Sequence, residues 1–158
     1  MLAVSRVLNY VIAALVAVQA ASHAWMSAGI GQFVMNGGVI DKSMMEQQSG
    51  PPPFPEVLGA MIHGMNGTMV IPIVALAGLI VAIVSKQGKV VRLAVVVIVL
   101  VALQVLLGIL AFSASAFALL HGLNAMLLFA AALLGAHAAK RGAVDQGGVG
   151  DRVTVHAS

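Results

Sequence analysis

The sequence predicts an all-α integral membrane protein, an up-down bundle of four transmembrane helices with both termini on the cytoplasmic side. Three observations lead there. Of 158 residues, 61% are hydrophobic and only 8% are charged, where a soluble domain carries about 25% charged residues. Four apolar stretches, over about residues 8–25, 57–84, 93–112 and 116–138, are long enough to cross a bilayer core, which takes about 20 residues of helix. The basic residues gather at one set of ends: Arg6 before the first stretch, Lys86, Lys89 and Arg92 between the second and third, Lys140 and Arg141 after the fourth. Lys42 alone lies in a connection of the opposite set. The positive-inside rule then puts the N-terminus, the middle connection and the C-terminus in the cytoplasm. The expected location is the cell membrane, with lipid as the first partner.

The first stretch also has features of a signal peptide: Arg6 at its basic end, an apolar run from Val11 to Val18, and small residues at Ala20 and Ala21. Its spanning length favours a retained helix. The connection after it, residues 26–56, is expected outside the membrane. It holds Gly29, Gly31, Gly37 and Gly38 and closes on Pro51, Pro52, Pro53 and Pro55, and it reads either as a lid or binding element or as a plain interfacial segment. The turn around Ser113 to Ser115 is short, so the third and fourth helices are antiparallel neighbours. Residues 142–158 are polar and Gly-rich and read as a flexible cytoplasmic tail. With no cysteine, disulfides and thiolate metal sites are excluded. The net charge of +3 sits at segment ends and argues for topology, not for a nucleic-acid surface.

One internal repeat carries most of the functional information. The second stretch contains Ile62-His63-Gly64-Met65-Asn66-Gly67 and the fourth Leu120-His121-Gly122-Leu123-Asn124-Ala125. Both helices run from outside to inside. Each His lies about 5 to 6 residues into its helix, so the two rings share a depth about 8–9 Å below the outer end. A polar ring in a membrane helix is costly enough to face the interior and find a partner. Two imidazoles at one level on opposite sides of a bundle axis suit the clamping of a heme iron from both faces. Gly64 and Gly122 remove bulk beside each ring, while Gly67 and Ala125 keep the same face shallow one turn on. Asn66 and Asn124 share the His face, where they can fix a tautomer or reach a heme edge. The alternative is that His-x-x-Asn is hydrogen-bonding glue between helices with no cofactor.

The stretch Gln104-Val105-Leu106-Leu107-Gly108-Ile109-Leu110, followed after a short turn by Ala118-Leu119-Leu120-His121-Gly122-Leu123-Asn124-Ala125-Met126-Leu127-Leu128-Phe129, resembles the third and fourth helices of one four-helix half of the heme A synthase family. The helix with His63 near its outer end is similar to the second helix of that half. The resemblance spans about residues 57–138. It implies His63 and His121 as axial ligands of one heme b per chain. Where family members carry Glu three residues before the second-helix His and Arg just after it, this chain has Ala60 and Gly64, and it lacks their loop cysteine pair. The expected function is therefore a b-type heme protein passing electrons, alone or as a small subunit of a respiratory complex. A heme-modifying enzyme acting as a dimer of halves and a cofactor-free structural subunit are the alternatives. The expected partners are a second copy or a larger respiratory complex, with quinone as a further candidate and no nucleic acid.

The remaining polar and sulfur side chains have plainer readings. His23 is an interfacial His beside Trp25 or a contact for a heme edge, quinone or proton. His137 sits with Lys140 and Arg141 at the inner end, and His156 lies in the tail. Met61, Met65 and Met69 form a helical stripe, read as packing against a neighbouring helix or another subunit. The sharper reading joins them to Met26, Met44 and Met45 as a copper site. Pro72 is expected to kink the second helix and free a carbonyl, and Gln104 is a lone amide needing a partner. Reporter fusions after residue 50 and after residue 90 should lie on opposite sides of the membrane. Equal labelling of both from outside would overturn this topology.

Overall fold

The structure, a computed structural model, describes residues 1–41 and 51–155, with residues 145–155 as backbone. Lys42, Met44, Met45 and His156 lie outside the described residues. The described residues form four long helices and no strand: α1 (Leu2–Met35), α2 (Val57–Ser85), α3 (Gly88–Leu110) and α4 (Ser115–Val155). All four contain spans long and apolar enough to cross a membrane, which indicates a multi-pass membrane protein. α1 packs on α2 and α4, and α3 packs on α2 and α4, so that α2 and α4 face each other diagonally. This packing is compatible with a four-helix bundle.

Several helix ends differ from the sequence expectation, each for a local reason. α1 starts at Leu2 and runs ten residues past Trp25, to Met35. The first part of the expected loop is therefore helical, because Gly29 is buried under the Glu56 side chain, where an added Cβ would collide. Tertiary packing overrides the weak helix propensity of glycine. The helix ends where Gly37 takes φ +90, with its N–H donating to Val34 O. The chain returns with Phe54 against Phe33, ring centroids 5.1 Å apart. At the other end of α2, Lys86 adopts the left-handed conformation at φ 57 and its N–H donates to Ile83 O. The reversal therefore takes Lys86 and Gln87 alone, and Lys89 and Arg92 belong to α3, not to a loop. α4 continues beyond residue 138 to Val155, so the expected tail is helical as far as it is described. No proline follows Pro72 to interrupt it.

α2 is not regular throughout. Val57–Met65 and Ile71–Ser85 are α-helical, but Asn66–Val70 form a π-helical turn, and the Ile71 N–H donates to Asn66 O. The cause is Pro72. In an unbroken α-helix its ring would clash with the carbonyl four residues back, and it has no N–H to give. One extra residue in the preceding turn absorbs the misfit. The expected kink is thus realised as a wide turn directly below His63.

Ile12, Val16, Val97 and Leu128 anchor the central core, and Ala82, Val90, Ala94 and Ala139 continue it toward the end that carries Arg6, Lys86 and Arg141. Small residues dominate there, as close backbone approach requires. At the other end Gly59 brings α2 against α1, with a Cβ at that position falling 2.5 Å from Ser22 O. Met61, Met65 and Met69 are all more than half exposed, so the Met stripe faces away from the other helices. Gly59→Val should therefore destabilise the protein by about 1–3 kcal/mol. Gly31→Ala, where an added Cβ meets nothing within 4 Å, should be neutral or slightly stabilising, both read from thermal unfolding in detergent.

Candidate functional site

His63 and His121 face each other across the helix assembly, with ring centroids 6.0 Å apart and planes tilted by 50°. The same small set of contacts holds both. His63 Nδ1 lies 3.0 Å from Gln19 O of α1, and His121 Nδ1 lies 3.0 Å from Gln104 O of α3. A carbonyl only accepts, so each Nδ1 carries the proton and each Nε2 presents a lone pair. One turn further, Asn66 Nδ2 donates to Leu15 O at 3.0 Å and to Gln19 Oε1 at 3.2 Å. Asn124 Nδ2 donates to Leu100 O at 2.9 Å and to Gln104 Oε1 at 2.6 Å. Both asparagines are buried, and neither Oδ1 has a donor among the described residues. Each amide is locked by its two acceptors, so the stranded oxygens are not a matter of a flipped group.

The site is therefore built from two copies of one helix pair, α1–α2 and α3–α4. The His-Gly-x-Asn half of each copy was visible in the sequence; its partner half was not recognised. Leu15-Val16-Ala17-Val18-Gln19 matches Leu100-Val101-Ala102-Leu103-Gln104, and that five-residue repeat was the signal available. The correspondence extends through the packing. Asn9/Ala94, Ile12/Val97, Val16/Val101 and Ser22/Leu107 are buried at the same places on α1 and α3. On α2 and α4, Ile71/Leu128, Ala75/Ala132, Gly78/Gly135 and Ala82/Ala139 are likewise buried. These last pairs match only when the extra residue of the π turn is skipped.

The two halves differ in three places. Gln104 Nε2 reaches its own histidine, 3.1 Å from His121 Nε2 and 3.0 Å from His121 O. Gln19 Nε2 instead lies over Gly67, where a Cβ would collide with it, while the matching Ala125 packs on the central core. Gly67 thus lies against an α1 side chain, and Ala125 against the core. Gly64 and Gly122 are exposed, and a Cβ at either meets nothing within 4 Å. The third difference is on α1, where His23 takes the place that Gly108 has on α3. Its ring stands edge-on to His63, with centroids 5.3 Å apart, so it is more than an interfacial neighbour of Trp25. Its Nδ1 is 3.4 Å from Ser27 Oγ.

Gln104 has found the partner it needed, and His137 stands apart at the far end, beside Lys140 and Arg141. Among the described residues, no three His, Asp or Glu are grouped so as to hold a metal ion jointly. No family model, curated protein or solved structure matches the chain.

Gln19→Leu and Gln104→Leu should each lower unfolding stability by about 0.5–1.5 kcal/mol, the scale of interhelical hydrogen bonds in membranes. Gln104→Leu should cost more, because its amide serves both His121 and Asn124. Equal losses in denaturant titrations would contradict the asymmetry between the halves.

Proposed function

We propose that the chain is a four-span protein of the cell membrane, with both termini cytoplasmic, whose His63 and His121 hold one heme b for electron transfer. The observation that carries this reading is the matched histidine pair: two rings of the same tautomer face each other at 6.0 Å across diagonal helices. Each ring keeps an unprotonated Nε2, so the pair would hold the iron and supply both of its protein ligands. A backbone carbonyl on Nδ1 is the usual outer partner of a metal-bound histidine, because it orients the ring and raises its basicity. The residues fit the group on a further count. The segment Val57–Met65 packs chiefly on α1, whereas Ile71–Ser85 packs on both α1 and α3. That difference leaves the His63 end of α2 less tightly enclosed.

Heme bound there supplies one-electron chemistry between ferric and ferrous iron. The chain's own work is to hold both Nε2 lone pairs ready, keep the rings at one level, and exclude water with the apolar core beneath. Gln104 must release His121 Nε2 before that nitrogen can ligate. Asn66 and Asn124 brace the two glutamines and offer two buried acceptor oxygens. The exposed Met stripe and α1's extension beyond Trp25 are the surfaces on which a second copy or a larger respiratory complex would sit, with quinone as a candidate redox partner.

A second reading is favoured by one contact. Gln104 satisfies His121 completely without any ligand, as helix glue in a structural subunit would. The reduced-minus-oxidised absorption spectrum of protein purified after heme-replete expression separates the two. The expected result is the band pattern of a low-spin b heme, lost in the His63→Ala, His121→Ala double variant and unchanged in His137→Ala. A folded wild type without a chromophore would leave the glue reading.

A further inference from the structure

The duplicated helix pairs make His23 conspicuous, because it breaks the symmetry at the ring itself. On α3 the matching residue is Gly108, and His121 rests against it: a Cβ there would lie 3.1 Å from His121 Cε1. Bare backbone therefore backs the His121 ring. On α1 that place carries a second imidazole, 5.3 Å from His63 between centroids and at 61° to it. His23 is exposed, and its hydrogen bond uses Nδ1, toward Ser27, which leaves Nε2 unengaged among the described residues. His63 Nε2 has no hydrogen bond among the described residues either, in contrast to His121 Nε2. The α1–α2 side thus offers two imidazole nitrogens where the α3–α4 side offers one.

We propose that His23 is a reserve axial ligand, able to take the iron position when His63 is removed or displaced. The inference rests on the heme reading above. Removing the His63 ring empties a ring-sized space directly beside His23, and rotation of the His23 side chain is enough to move its imidazole toward that space. Nothing equivalent stands beside His121. The exchange swaps one imidazole nitrogen for another on the same metal and needs no oxidant, reductant or further group.

The test uses the full chain in detergent, titrated with hemin, with ligation read from absorption and electron paramagnetic resonance. His63→Ala should keep a six-coordinate low-spin heme at an occupancy within about twofold of wild type by mass action. His121→Ala should become five-coordinate and high-spin. The His23→Ala, His63→Ala double variant should behave like His121→Ala, and added imidazole should restore its low-spin signal, which shows that it is folded. In the mirror experiment, Gly108→His combined with His121→Ala should regain the low-spin spectrum. If His63→Ala and His121→Ala give the same five-coordinate species, His23 is no ligand and the heme reading stands. If the wild type takes up no hemin, the heme reading itself fails and this inference goes with it.

Discussion

A backbone carbonyl that accepts a hydrogen bond from the neighbouring helix is the contact on which the rest of this structure depends. Gln19 O and Gln104 O each lie within 3.0 Å of a histidine Nδ1 from the neighbouring helix. Between apolar helices a half-buried imidazole has little water to turn to, so its N–H must find an acceptor in protein. A carbonyl within a helix has a lone pair to spare beyond its ladder bond. The arrangement sets the depth of both rings, selects the tautomer, and spaces α1 from α2 and α3 from α4. It also brings each glutamine side chain over the following turn, where the asparagine is waiting. Because the anchor is main chain, no side-chain substitution at the glutamines removes it.

The four spans were legible because hydropathy has only to be long and uninterrupted, and the α2 expectation fell within one residue of the observed end at Ser85. The ends that moved were those decided by contacts. Gly29 looks like a loop residue until Glu56 covers it, and Lys86 has nothing in its side chain to announce a left-handed turn. The His-Gly-x-Asn repeat was equally plain, but reading it alone left Gln104 without a partner. A His is recognisable chemistry, whereas Leu-Val-Ala-x-Gln looks like ordinary membrane helix until the hydrogen bonds join it to the imidazole. Gly67 carries a contact that its own residue type does not announce: the Gln19 amide lies over it, where a Cβ would collide. His23 was unreadable because an exposed ring at a helix end has a sufficient explanation in its own position.

The π turn at Asn66–Val70 is the cost of placing Pro72 in a helix that must match its counterpart on α4. At its first residue, Asn66 matches Asn124 in the duplicated arrangement; below it, Ile71 matches Leu128 and Ala82 matches Ala139, now one residue out of step. A plain insertion into an α-helix would rotate everything beyond it by about 100° and turn Ala75 and Gly78 away from their neighbours. Widening one turn confines the disturbance, so both ends of α2 keep their faces. The turn begins at Asn66, whose Oδ1 lacks a donor among the described residues, and so concentrates irregular backbone and unpaired polarity at a single level.

The unequal connections between helices give two chemically matched halves different histories. His121 and Gln104 are 17 residues apart in the chain, whereas His63 and Gln19 are 44 apart. Loop-closure entropy grows only with the logarithm of length, so the longer loop costs less than about 1 kcal/mol more, and the finished halves can be nearly equal in stability. The difference falls on time instead. The α3–α4 hairpin closes locally, and α1 must wait for the chain between Asn36 and Glu56 to bring α2 back. The half with the fully satisfied histidine is thus the one of lower contact order, and the half bearing His23 closes across the longer connection.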